Sequence, residues 1–430
     1  MQGNLFNTTK GRLFSFGMMY ISEGIPFGFT SIALVSIMRQ SGLGLDVIGI
    51  FTAALFLPWT FKWAVAPFVD IIKLTHYGGR KAWIVACTIM MLITLLISGL
   101  LDVVENFDAL VSLFILHNIF AATQDVAIDA LAISNLKPDE RGRASGIMFG
   151  GQYLGIAIGG SGAIFIYGYW GFDVALMVIS VLLFLNLLFI LFFVKDLHIQ
   201  KAKIVTEKSV LHELYVSFIY FIKAVFDSFW LSGRIPILAL LFAFLPTGTM
   251  ALAYASLQTI QVDLGFSNNE ISQVTLLNTI FAGIGCVIGG YLADICGLRK
   301  MLFTFYFLLI FPGLYLGTRI YMAGLEDIHT YEFYTIATAH GFLFGMGFAV
   351  STAYFMGATN PMVAATQFTV YMAFGNLAIM VSNYWQGIVS EHMGYANMFF
   401  IESVIVILPL ILIPFLRTRE EMKVEQTLIR

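Results

Sequence analysis

Four ionisable residues lie inside long apolar runs of this chain: Glu23, Lys62, Asp125 and Asp129. A charged group in the middle of a membrane helix costs about 2.5–3.5 kcal/mol on insertion scales, so each one calls for a compensating role. Asp125 and Asp129 are four residues apart and share a helix face. Two ionised carboxylates there would repel each other and lose hydration, so the pair is ill-suited to carry both charges at once. At ~1.5 Å per helical residue, Glu23 lies roughly 16 Å in from Arg12, Lys62 roughly 12 Å from Asp70, and Asp129 roughly 12 Å from Lys137. All four therefore occupy the layer between one face and the midplane. Lys62 can neutralise one acid at the depth of Asp129, which leaves Asp125 or Glu23 to bind and release a proton. Two readings stand. Glu23 and Asp125 are proton-coupling groups beside a gating ion pair of Lys62 and Asp129, or all four form a fixed structural network. For Lys62 and Asp129 the structural reading weighs more, because breaking a buried pair costs more than keeping it.

The second half of the chain carries neutral polar groups instead. Tyr254, Gln258, Gln261, His340 and Tyr354 fall on two apolar segments, and Gln367, Tyr371, Asn376, Asn383 and Gln386 fall on a third. In the first half, Gln124 and Gln152 are of the same kind. Phenols and aromatic rings suit the apolar faces of a sugar, and amides suit its hydroxyls or a peptide group. Hydrogen bonding between neighbouring helices is the competing use of each such residue. Glu402 falls in the last apolar run and faces a neighbouring helix on this reading, without an assigned role.

The elements that must hold these residues are membrane spans. Of 430 residues, 59% are hydrophobic and 11% charged, with mean hydropathy +0.86, whereas soluble domains average ~25% charged residues. Apolar runs predict twelve spans at about 13–38, 47–69, 82–101, 108–134, 143–168, 173–194, 235–261, 271–293, 301–322, 332–357, 363–387 and 395–416. They divide into an N-terminal half (1–194), a polar linker (195–234) and a C-terminal half (235–430). Of the 23 basic residues, only Arg39, Lys62 and Arg319 fall outside the termini and the loops on their side, which leaves 20 on one face. The positive-inside rule places that face, both termini included, in the cytoplasm of a bacterial inner membrane.

Other chemistries find little support. The net charge of −3 is spread over short loops and forms no basic face for nucleic acid. Cys87, Cys286 and Cys296 show no CxxC spacing, and the seven histidines show no metal-ligand spacing, so no metal or other cofactor is expected. Gly151, Gly155 and Gly159 recur every four residues and read as a close helix contact, not a nucleotide loop. The apolar stretch after Lys10 and Arg12 is too long for a signal peptide.

The two halves echo each other. "APFVDIIKLTHYGGRKAW" follows the second span and "GGYLADICGLRKML" follows the eighth, so Asp70, Gly79, Arg80 and Lys81 correspond to Asp294, Gly297, Arg299 and Lys300. This pattern resembles the cytoplasmic loop signature of the major facilitator superfamily. Four further segments resemble its AmpG-like permeases, which are related to certain siderophore permeases and acetyl-coenzyme A transporters. They are "YISEGIPFG" (20–28), "LPWTFKWAVAPFVD" (57–70), "ATQDVAIDA" (122–130) with "DERGRASG" (139–146), and "AATQFTVYMAFGNLA" (364–378). The chain stops after twelve spans where some members append two more, and its seventh span lacks a charged pair that muropeptide permeases can carry.

The resemblance implies an all-α major-facilitator fold of two six-helix halves working by alternating access. It also implies a monomer that imports a small solute with protons, anhydro-muropeptides first and a siderophore complex second. In that fold the paired loop residues latch helices together in one conformation. A non-transporting membrane sensor would need a signalling domain, and neither the linker nor the tail after Arg417 is large enough to be one. An enzyme would need a nucleophile–base or metal constellation, which the scattered histidines do not supply.

Overall fold

Every described element is helical. Hydrocarbon demands this, because a helix satisfies its N–H and C=O groups within the segment. The computed structural model describes residues 5–72, 74, 78–136, 141–196, 207–230, 233–246, 250–359 and 364–417. The side chains of Asp70 and Asp294 lie outside the described residues, as does the Asp139–Glu140 part of the fourth-to-fifth span motif.

Among the described residues, ten helices are long and apolar enough to cross a bilayer. Six precede the linker: α1 Thr9–Gln40, α2 Leu45–Val65, α3 Arg80–Ser98, α4 Phe107–Ala132, α5 Gly146–Trp170 and α6 Phe172–Phe193. The expected linker contains a 24-residue helix, α7 Glu207–Trp230. Two shorter helices follow, α8 Arg234–Phe244 and α9 Ala255–Asp263. The last four long ones are α10 Asn268–Ala293, α11 Leu298–Ala323, α12 Thr330–Ala358 and α13 Gln367–Phe415. The 49 residues of α13 exceed what one crossing needs, ~20 residues. The segment turns at Gly394, whose φ of 81° lies in the left-handed region that glycine enters freely, and so folds as two arms.

The seventh span departs from expectation. Instead of one helix over 235–261, the chain stops at Phe244 and restarts through a 3₁₀ turn at Ala251–Ala253. Leu245 is extended (φ −84°, ψ 145°), the conformation that the ring of the following Pro246 imposes on its predecessor. The second span is also interrupted: its first helix ends at Thr60, Phe61 leaves helical geometry, and a new helix begins at Lys62. Single π-helical turns interrupt α1 at Phe29–Ala33, shortly after Pro26, and α5 at Ile158–Gly162.

The chain sorts into two compact units. One holds 1–41, 64–221 and 267–272, and the other holds 42–63, 222–266 and 273–430. These are packing units and do not follow the repeat boundary, since most of α2 belongs to the second. In the first unit α1 lies along α5, and α3 lies against α4 and α6. The α1–α5 contact is made by glycines, as their four-residue spacing suggested. A Cβ on Gly155 would overlap Gly24 and the Ile21 carbonyl, and one on Gly159 would overlap the Ile25 carbonyl. In the second unit α2 runs along the first arm of α13, with Gly49 backed on Gly387.

Gly159→Ala is therefore expected to push α1 from α5 and cost about 1–3 kcal/mol, the range for overpacked cores. The check is a lower thermal midpoint in detergent. Gly146→Ala is the control, since a Cβ there meets nothing within 4 Å; equal midpoints for the two variants would contradict the packing account.

Candidate functional site

The close approach of α1 and α5 sets the geometry of the first unit. With glycines between the two backbones, Gln152 on α5 reaches α1, and its Nε2 donates to Glu23 Oε1 at 2.6 Å. Three residues before Glu23, on the same side of α1, the Tyr20 hydroxyl donates to Asp129 Oδ1 on α4 at 2.6 Å. Glu23, Asp125 and Asp129 all lie within electrostatic range of that hydroxyl. Glu23 and Asp125 are buried and Asp129 is half-buried. The three acids singled out in the sequence are thus brought to one place, with Tyr20 and Gln152 as neutral hydrogen-bond donors among them. A buried group of acids bonded by neutral donors can exchange protons without unfolding its surroundings.

Two other predicted residues, Gln124 of this unit and Lys62 of the second, are placed differently. Gln124, the residue before Asp125, is buried, and its Nε2 donates to Thr88 Oγ1, which ties α4 to α3. Lys62 opens the second segment of α2, with its Nζ 5.9 Å from the centroid of the Trp59 ring.

In the second unit, the broken seventh span carries the polar candidates. Tyr254 stands at the start of α9 with its ring edge-on to Phe56 (5.6 Å) and Phe344 (6.2 Å). His340 is buried and stacks on Phe344 at 5.8 Å. Gln258 accepts from the Thr275 hydroxyl at 3.3 Å, and Asn376 donates to the Trp59 carbonyl at 3.4 Å. Gln367 is buried on the first arm of α13. Tyr354 and Tyr371 are fully buried in an aromatic core with Phe229, Phe242 and Phe355.

The break itself is braced by the two arms of α13. Asn383 Oδ1 accepts from the Ala255 amide at 3.3 Å, at the start of α9. Glu402 Oε1 accepts from the Ala251 amide at 2.9 Å and from Gln386 Nε2 at 2.7 Å. Sequence reasoning gave Glu402 no role, because its partners lie more than a hundred residues away or across the Gly394 turn. Tyr20 was also missed, although its spacing of three residues from Glu23 could have signalled it.

In both halves the glycine of the repeated loop motif has a positive φ, with different ψ. Gly79 (φ 68°) precedes α3 and Gly297 (φ 93°) precedes α11. The basic residues follow each glycine in the first turn. The Arg80 amide donates to Asp196 at 3.2 Å, and Lys81 Nζ donates to the Leu191 carbonyl at 2.7 Å, in the last turn of α6. A lysine there complements the negative end of the helix. Arg299 and Lys300 occupy the corresponding turn of α11.

Comparison with known proteins agrees with this architecture. The family model for the Major Facilitator Superfamily matches residues 13–257 and again 237–428. A putative transporter, AmpG 4, of Rickettsia felis is 24% identical over 411 residues, covering 94% of this chain and 95% of its own. The anhydromuropeptide permease of Escherichia coli K12 is 24% identical over 360 residues, covering 82% of this chain and 69% of its own. The crystal structure of a D-xylose–proton symporter superposes with a TM-score of 0.70 at 12% identity, covering 94% of this chain and 98% of that one.

The Tyr20–Asp129 bond is expected to contribute about 1–3 kcal/mol. Tyr20→Phe and Asp129→Asn should each lower the thermal midpoint, and the double variant should lose less than the sum of the two. Strict additivity in this cycle would show that the two side chains do not interact.

Proposed function

From the premise that this chain belongs to the major facilitator superfamily, we propose that it imports an anhydro-muropeptide, driven by protons. The protein is a multi-pass secondary transporter with AmpG-type relatives. The observation that carries the coupling is the cluster of Glu23, Asp125 and Asp129 about the Tyr20 hydroxyl. Asp125 or Glu23 takes the proton. Asp129 is held by Tyr20, and Lys62 pairs with Asp129 in one stage of the cycle. Gln152 keeps a donor on Glu23, which limits the cost of ionising that acid within an apolar surround.

Support for the substrate comes from the 24% identity to the E. coli permease over most of this chain. The polar set of the second unit fits such a ligand chemically. Tyr254 offers a ring to a sugar face, while Gln258, Gln367 and Asn376 offer amides to hydroxyl or peptide groups. His340 stacks on Phe344 beside Tyr254, and Tyr354 and Tyr371 are candidates that stand in the aromatic core. Gln124 and Gln152 serve the first unit. The basic-residue count orients both termini to the cytoplasm of an inner membrane, and the two repeats, 1–194 and 235–430, alternate access between the two sides as a monomer.

Accumulation of labelled GlcNAc-anhydro-muropeptide in cells lacking their own permease tests this reading. Cells expressing the chain should accumulate the label, and a protonophore should abolish accumulation. No uptake by well-expressed protein would contradict the substrate, and protonophore-insensitive uptake would contradict the coupling. In the same assay Asp125→Asn should flatten the dependence of uptake on external pH; an unchanged pH profile excludes Asp125 as the proton carrier.

A further inference from the structure

Glu402 is a buried acid, 1% exposed, that the acid cluster of the first unit does not use. Its Oε1 takes two hydrogen bonds, from Gln386 and from the backbone of the broken span at Ala251. Its Oε2 is buried with no hydrogen-bond partner among the described residues. Gln386 and the backbone amides of Met250 and Ala251 are what face the carboxyl. No cation and no other titratable group among the described residues acts on it from α13, α9 or the turn before α9. An ionised carboxylate in that position would have donors on Oε1 alone, with Oε2 bare and no cation beside it in an apolar interior, which disfavours the charge. A neutral acid fits the same space and still accepts from Ala251 and Gln386 through its carbonyl oxygen.

What Glu402 holds is the 3₁₀ turn that precedes α9. Leu245 is extended, and the Ala251–Ala253 stretch is a 3₁₀ turn that leads directly into Tyr254. On the far side of Tyr254, Asn383 fixes Ala255 independently. The turn is thus pinned at both ends, by a neutral amide at one and by a titratable acid at the other.

We propose that Glu402 is a second proton-binding site of this transporter, positioning Tyr254 through the backbone of the broken span. With the proton bound, the carboxyl holds the Ala251 amide and Tyr254 stays between Phe56 and Phe344. When the proton leaves, water must enter to solvate the charge, the Ala251 bond is lost, and the turn carrying Tyr254 is released. Glu402 is a positioning residue that acts through the hinge and need not touch the solute. The inference rests on the transport reading for its purpose, and the latch itself can be measured without transport.

The test is hydrogen exchange of the segment 250–254 in purified full-length protein in nanodiscs, corrected for the intrinsic pH dependence of exchange. In the wild type, protection should fall by about tenfold or more between about pH 5 and about pH 9. Glu402→Gln keeps an acceptor and cannot ionise, so the segment should stay protected throughout. Glu402→Ala removes the acceptor, so the segment should exchange rapidly throughout; if that variant does not fold, the comparison of wild type with Glu402→Gln decides. A wild-type profile without pH dependence overturns the proposal, as does a Glu402→Gln profile that matches the wild type or is unprotected. Protonophore-insensitive uptake alongside an intact latch would sink the coupling reading alone.

Discussion

The near-contact of two backbones, α1 and α5, is the constraint on which the first unit depends. Apolar side chains give helices little reason to associate in lipid, so close approach relies on residues without side chains. Gly24, Gly28, Gly155 and Gly159 supply that surface, and a single Cβ on most of them would overlap a facing carbonyl. Because the backbones nearly touch, Gln152 can bond Glu23 across the interface, and α1 presents Tyr20 to Asp129 on α4. The acids are tolerable in an apolar medium because this packing brings them donors. The π turns at Phe29–Ala33 and Ile158–Gly162 lie further along the same pair of helices, where glycine and proline already loosen regular geometry.

The second unit solves a different problem with the same physics. Its seventh span is broken, and a break in hydrocarbon exposes backbone amides that need acceptors. Asn383 and Glu402 provide them from the two arms of α13, and Gln386 secures Glu402 in turn. Side chains that could be taken for ligand contacts are here spent on the backbone. Tyr254, flanked by the rings of Phe56 and Phe344, is left at the hinge. Among the described residues each unit therefore carries buried acid of its own, a cluster in the first and Glu402 in the second.

Much of this could be read from the chain, and the reasons are specific. Charges in apolar runs are costly enough to announce themselves, which is why Glu23, Asp125 and Asp129 stood out before any contact was known. Glycines at four-residue spacing have one physical use in a membrane helix, and the α1–α5 contact realised it. The paired loops at Gly79 and Gly297 both need glycine because a residue of positive φ precedes the helix in each half. Hydropathy alone could not show that Pro246 breaks its span, because what stabilises the break comes from Glu402 and Asn383, far along the chain. Nor does it say which face of a helix a tyrosine takes: Tyr254 sits at the hinge, whereas Tyr354 and Tyr371 lie in the aromatic core.

The central claim is that solute movement and proton movement are one process, run through the acids around Tyr20. The most direct measurement is proton uptake on adding anhydro-muropeptide to proteoliposomes with no imposed gradient, followed by a pH indicator outside vesicles of lightly buffered lipid. The account predicts external alkalinisation on solute addition by the wild type, and none by the Glu23→Gln, Asp125→Asn double variant. Solute entry without alkalinisation, or alkalinisation unchanged in the double variant, would contradict it.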